Sequence, residues 1–142
     1  MAEQFELDTR LAADCIRVGR LPLSMLLLLN DARYPWFVLV PQRGGVKEVF
    51  QLPEPDQQQL WRESALLAEH LMQSFHADKI NIGALGNLVN QLHVHHIARF
   101  RSDPAWPGPI WGKQAPVPYT DEELEQVRQR LAPVLAELKS GV

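Results

Sequence analysis

Gln91-Leu92-His93-Val94-His95-His96-Ile97 decides how this chain is read. In a strand, alternate side chains share a face. Gln91, His93 and His95 would then project together, with Leu92, Val94 and His96 on the reverse. Leu92 and Val94 become core residues, and the histidine face is left for chemistry. The plainer reading is that clustered histidines decorate a surface. His96, on the apolar side, reads as a structural histidine with its hydrogen bonds satisfied.

The segments around this run supply the rest of a sheet. Lys79-Ile80-Asn81-Ile82-Gly83 reads as a strand ended by Gly83 and Gly86. Ser24 to Asn30 and Trp36 to Val40 are two short apolar runs separated by Asn30-Asp31-Ala32-Arg33-Tyr34-Pro35, the pattern of a hairpin or meander. A further short strand is expected around Val46 to Phe50. From Pro55 or Asp56 to about Phe75 the period becomes helical: Leu60, Leu67, Leu71 and Phe75 form one stripe, with Trp61, Ala65, Ala68 and Met72 beside it. Trp61 is expected in the core.

Asp8 or Thr9 can cap a short helix carrying Leu11, Ala12, Cys15 and Ile16. Thr120, with Glu123 three residues on, opens a helix over about 120–139 as a capping box, and Leu124, Val127, Leu131, Val134 and Leu138 supply its stripe. Residues 103–118 hold five of the eleven prolines, which precludes regular structure there. Strands and helices do not alternate strictly. The reading is α+β: an antiparallel sheet of about five strands, with a long central helix and a C-terminal helix packed on one face. Residues 1–142 are read as a single domain with its core at about 20–112.

Composition narrows the function. The chain has 142 residues, 46% hydrophobic and 22% charged, enough apolar content to build a core. Its net charge of −3 carries no electrostatic footprint for nucleic acid. One cysteine, Cys15, excludes an internal disulfide and a cysteine zinc site, and fits a reducing compartment as a small buried residue. Met25 to Leu29, with Leu23 just before, is too short to cross a bilayer. The acidic start Met-Ala-Glu-Gln-Phe-Glu does not match a signal peptide. A cytoplasmic location is expected, with no membrane or nucleic-acid partner.

Two chemistries use His-x-His on a strand. One is a metal site, which needs a third ligand from elsewhere. The other is nucleophilic catalysis at phosphorus, where imidazole attacks and water later displaces it.

Gln91 to Arg99 resembles the motif of the histidine triad (HIT) family, in which His, hydrophobic, His, hydrophobic, His and two hydrophobics run along one strand. Asn81 on the preceding strand and Gly86-Asn87, where many members carry Gly-Gln, extend the likeness. So do Leu28-Leu29-Asn30 and Val38-Leu39-Val40-Pro41. Asp103-Pro104-Ala105-Trp106-Pro107-Gly108-Pro109-Ile110-Trp111-Gly112 is similar to a bacterial branch labelled diadenosine-tetraphosphate-hydrolase-like.

This resemblance implies a hydrolase or phosphoramidase that cleaves nucleotides at the α-phosphorus through a nucleotidyl-histidine. His93 would be the nucleophile, and His95 would hold the phosphate or protonate the leaving group. Gln91, Asn87 and Gly86 would meet the phosphate. Asn30 would meet the ribose, and Leu28, Phe37 and Ile82 would line a base pocket. No protein-held metal or other cofactor is implied, although a divalent metal on the substrate phosphates is compatible. A homodimer is implied, with a nucleotide as the small-molecule partner.

The departures matter as well. Gln91 replaces the first histidine, Phe37 is read at a position where members carry a histidine, Leu88 stands where several carry a hydroxyl, and His96 replaces an aliphatic residue. A catalytically weak nucleotide-binding module is the alternative these changes suggest, and a His-ligated metalloenzyme is a third reading. Asn87 could equally serve its own turn, and Arg99 and Arg101 would by default be solvated. Trp106 and Trp111 would either clip down on the core or close over the site.

Overall fold

A computed structural model describes residues 4–112 and 115–141 of the chain. Five strands form one antiparallel sheet: β1 (Cys15–Arg20), β2 (Ser24–Leu29), β3 (Trp36–Pro41), β4 (Lys79–Gly83) and β5 (Val94–Arg99), in the order β1-β2-β3-β5-β4. α1 (Thr9–Asp14), α2 (Glu54–Phe75) and α3 (Asp121–Gly141) complete the fold. The expected architecture is the one observed.

α2 and α3 cover one face of the sheet. Leu67 and Leu71 of α2 and Val127, Leu131 and Val134 of α3 pack on Leu26, Leu28, Phe37, Leu39, Ile80 and Ala98. The Leu138 side chain lies outside the described residues. Thr120 and Glu123 form the expected capping box, each accepting the other's backbone N–H. Where α3 meets β1, a Cβ on Gly19 would stand 2.6 Å from a Leu135 methyl, so glycine admits the helix.

Several local expectations are corrected. The first helix stops at Asp14, capped by Asp8, and Cys15 and Ile16 begin β1 instead. Residues 46–50 do not form a strand. Gln51 Oε1 accepts the amides of Lys47 and Glu48, drawing Val49–Gln51 into a 3-10 turn. Trp61 is 51% exposed rather than core. The polar neighbours Glu63 and Ser64 point inward in its stead: Glu63 Oε2 takes the Leu23 amide and Gln59 Nε2, tying α2 to the entry of β2.

The other face of the sheet carries a second apolar layer, built from the N-terminal segment and the proline-rich tail. Phe5, Leu7, Leu11 and Ile110 pack on Trp36, Val38, Val40 and Ile97. The tail is anchored by Arg99, which is 1% exposed and thus not the solvated charge the sequence suggested. Its Nε and Nη2 donate to the two Asp103 oxygens at 2.8 and 3.0 Å, and its Nη1 donates to Asn81 Oδ1 at 2.8 Å. Trp106 lies against the same guanidinium, 5.8 Å from its ring centroid.

Burial alone would raise the Asp103 carboxyl, but the hydrogen bonds from Arg99 and the Phe100 amide outweigh it, holding the group at about 2. A carboxylate with a depressed pKa stabilises the fold above its unfolded value near ~4 and loses that contribution as pH falls toward ~2. Asp103→Ala leaves a buried, unpaired guanidinium and is expected to cost about 3–5 kcal/mol in denaturant unfolding at pH 7. For Asp103→Asn, the stability difference from wild type should shrink as melts are taken from pH 5 down to pH 2.

Candidate active site

β5 lies between β3 and β4 with Val38 opposite His95 and Gly83 opposite it on the other side. Val94, His96 and Ala98 therefore face the helices, and His95, Ile97 and Arg99 face the second layer. The strand begins at Val94, three residues later than the expected start at Gln91.

His93, just before the strand, is 7% exposed, and its Nδ1 is 2.6 Å from the backbone oxygen of Gln91. A carbonyl oxygen can only accept, so Nδ1 carries a proton, and in the neutral ring this tautomer places the lone pair on Nε2. This is the state a nucleophilic imidazole requires.

His95 has the opposite tautomer. The indole Nε1–H of Trp36, which can only donate, points at His95 Nδ1 from 2.9 Å. The proton of the neutral ring must then sit on Nε2, which becomes a donor. Burial first, then the neighbouring His93 and His96, push the His95 pKa down to about 3. It is therefore a neutral hydrogen-bond donor at ordinary pH and not an imidazolium acid. Trp111 closes the cage: its ring centroid is 5.7 Å from His95 and 6.5 Å from Trp36, and its far edge rests at Gly83. The His93 and His95 centroids are 4.9 Å apart.

His96 is structural. Its Nδ1 donates to the Val94 carbonyl, and its Nε2 accepts from Ser64 Oγ at 2.7 Å. Burial lowers its pKa to about 4, against a smaller opposing effect of the Val94 hydrogen bond.

The remaining candidates divide sharply. Gly86, in the left-handed region at φ +70°, lines a cavity of about 440 Å³ together with His93. Asn87 is exposed in the adjoining loop, outside the cavity lining. Gln91 lines the same cavity as His93 and Gly86, with its side-chain amide bonded to the N-terminal segment. Its Nε2 donates to the Glu6 carbonyl at 2.8 Å and its Oε1 accepts the Asp8 amide at 2.9 Å, so it buckles the N-terminal segment beside His93.

Leu28 and Phe37 are fully buried under α2, and Ile82 shares the side of the sheet taken by Ile80, so these three do not share the His95 face. Asn30 lies with Trp36 on a separate cavity of about 450 Å³, its Oδ1 accepting the Tyr119 amide at 2.9 Å. The β3 residue bonded to His95 is Trp36, not Phe37. The two are adjacent and so point to opposite faces.

Among the described residues, no three His, Cys, Asp or Glu side chains converge as a metal site. Cys15 is half-buried, and burial raises its thiol to about 12. No helix of the described residues is long and apolar enough to cross a membrane.

The family model for the HIT domain matches residues 10–102, spanning the sheet, α2 and the histidine strand. The chain belongs to the HIT-domain family. A histidine triad protein from Marinobacter aquaeolei VT8 is 50% identical to this HIT protein, with 95% of this chain and 98% of that one covered and a TM-score of 0.94. Another, from Sinorhizobium meliloti 1021, is also 50% identical, covering 92% and 97% with a TM-score of 0.90. A third, from Bradyrhizobium japonicum, is 42% identical, covering 93% and 98% with a TM-score of 0.91. No curated protein matches the chain.

Trp36→Phe keeps an aromatic ring but removes the donor that sets the His95 tautomer. Nitrogen-15 NMR of wild type should show His95 protonated at Nε2, and the variant should show a mixture of tautomers. Any turnover is expected to fall by roughly tenfold to a hundredfold, the usual effect of losing the partner that orients a working imidazole. Gln91→Ala should release residues 4–8, seen as faster amide exchange at Asp8.

Proposed function

We propose that this HIT-domain protein hydrolyses nucleotides at the α-phosphorus, as a phosphohydrolase or phosphoramidase, through a nucleotide held covalently on His93. The observation that carries this reading is the Nδ1–H of His93 committed to the Gln91 carbonyl at 2.6 Å, which presents the Nε2 lone pair. Nε2 bonds to phosphorus, the bond to the leaving group breaks, and its electron pair departs with that group. Water then attacks the phosphorus, the P–Nε2 bond returns its pair to His93, and a nucleoside monophosphate is released. The Nε2–H of His95 donates to the phosphoryl oxygens as charge develops on them. The exposed turn at Gly86 borders the same space.

Dinucleoside polyphosphates, suggested by the tail from Asp103 to Gly112, and nucleoside phosphoramidates are the candidate substrates. The reading needs no protein-held cofactor, and a divalent cation could accompany a polyphosphate. Two copies pairing as a homodimer belong to the same reading: β4 is an edge strand that offers backbone groups to a partner. One observation favours the alternative of a nucleotide-binding module with little turnover: the bond from Trp36 keeps His95 from serving as a charged acid.

The test is release of nucleoside monophosphate from diadenosine tetraphosphate and adenosine phosphoramidate by wild type and His93→Ala. Wild type should form product, and the variant should be slower by about a thousandfold or more while still binding AMP in calorimetry. Undiminished turnover by the variant would remove His93 as the nucleophile. Nucleotide binding without product from either protein would establish the binding module.

A further inference from the structure

The tail from Asp103 to Gly112 carries a polar group that the chemistry above does not use. Among the described residues, the buried side-chain polar atoms without a hydrogen-bond partner are Ser24 Oγ, Glu63 Oε1 and Trp111 Nε1. Ser24 shares its face of β2 with Leu26 and Leu28, and Glu63 is on α2, so those two lie on the helix side of the sheet. Trp111 lies on the other side, against His95. An indole N–H can donate and cannot accept, and a buried one usually has a partner. Left unpaired, it carries the full cost of its desolvation.

The surroundings of this N–H say what kind of partner fits. Trp36 and Trp111 both stand with their ring centroids 5.7 Å from that of His95. The Trp36 N–H is spent on His95 Nδ1, and the Trp111 N–H is unspent. In an indole, Nε1 lies on the same edge as Cζ2, and in Trp111 Cζ2 and Cη2 rest at Gly83, the β4 residue opposite His95. The free donor is therefore on the β4 side of the ring, near the histidine whose own proton sits on Nε2. Gly112 follows at φ +73°, and no heavy atom of the described residues stands within 4 Å of a Cβ built on it. That open glycine bend leaves the indole room to turn.

We propose that Trp111 is a substrate-contacting residue whose Nε1–H donates to a non-bridging oxygen of the nucleotide's α-phosphate, alongside the Nε2–H of His95. The proposal rests on the nucleotide-hydrolase reading and adds to it a second neutral donor, supplied by the tail and not by the histidine strand. A small turn of the ring brings the N–H onto the ligand, and the phosphoryl oxygen is the acceptor that the free protein lacks. A hydrogen bond to an ionised acceptor is stronger than a neutral one, and a donor aimed at developing charge lowers the barrier. No proton leaves the indole, so the same contact serves both the formation and the hydrolysis of the nucleotidyl-histidine.

The experiment reads the indole protons of nitrogen-15-labelled wild type with and without AMP, with Trp111 assigned through its contacts with Gly83. On saturation the Trp111 resonance should move downfield and exchange more slowly with water, while Trp61, exposed on α2, stays in place. Calorimetry then compares AMP with adenosine on wild type and Trp111→Phe, which keeps a ring and removes the donor. AMP should bind the variant roughly tenfold more weakly, with adenosine binding unchanged and a melting temperature no lower than that of wild type. Turnover, read as kcat/KM, should fall by about a hundredfold.

A Trp111 resonance unmoved by saturating AMP would overturn the proposal, and this arm needs no variant. Equal weakening of AMP and adenosine would also overturn it, reducing the indole to a wall that packs on the nucleoside. A lower melting temperature with AMP affinity intact does the same, since the N–H would then be holding the fold. Binding of neither ligand by wild type, by contrast, strikes the nucleotide reading itself and takes the proposal with it.

Discussion

The placement of β5 between β3 and β4 is the constraint on which the rest of the molecule depends. With Val38 and Gly83 both opposite His95, every odd residue of the strand faces the second layer and every even one faces α2. A slip of one residue would carry His96 out to the cage and thrust His95 into the helix core. The slip is opposed from both sides. Ser64 holds His96 on the helix side, and the bonds from Arg99 to Asp103 and Asn81 hold the opposite face. The register is thus locked by polar contacts buried in apolar layers, where an unpaired group is costly.

From that register follow the contrasting states of three histidines within four residues. His93 donates from Nδ1 to a carbonyl and keeps Nε2 free, whereas His95 accepts at Nδ1 from an indole and so holds its proton on Nε2. His96 repeats the first tautomer, but its Nε2 is consumed by Ser64. One imidazole can attack, one can donate, and one is occupied. Partner atoms, not the residue type, assign these roles.

The chain also closes over its own site. Trp111 and the N-terminal segment cover the sheet face that carries the histidines, and each is fastened by a residue next to the motif. Arg99, at the end of β5, clips the tail that bears Trp111. Gln91, at the head of the motif, takes the backbone of Glu6 and Asp8. At position 91 the glutamine amide thus engages the N-terminal segment with both its donor and its acceptor.

Strand alternation, the helical stripe of α2 and the Thr120 capping box are local patterns, so the α+β fold and the HIT motif were legible in the residues alone. So were the pairing of His93 with His95 and the inward turn of His96. Partners distant in the chain were not. Trp36 and His95 are 59 residues apart, and Gln91 and Glu6 are 85 apart. Only strand pairing brings Trp36 opposite the site and turns Phe37 away. The burial of Arg99 was hidden for a related reason. An arginine near a strand end reads as solvated until the Asp103 turn folds back on it, and no periodicity encodes that return. Sequence spacing carries what neighbours along one element do to each other, whereas the proton positions on these histidines are set by donors and acceptors that only the assembled sheet brings within hydrogen-bonding distance.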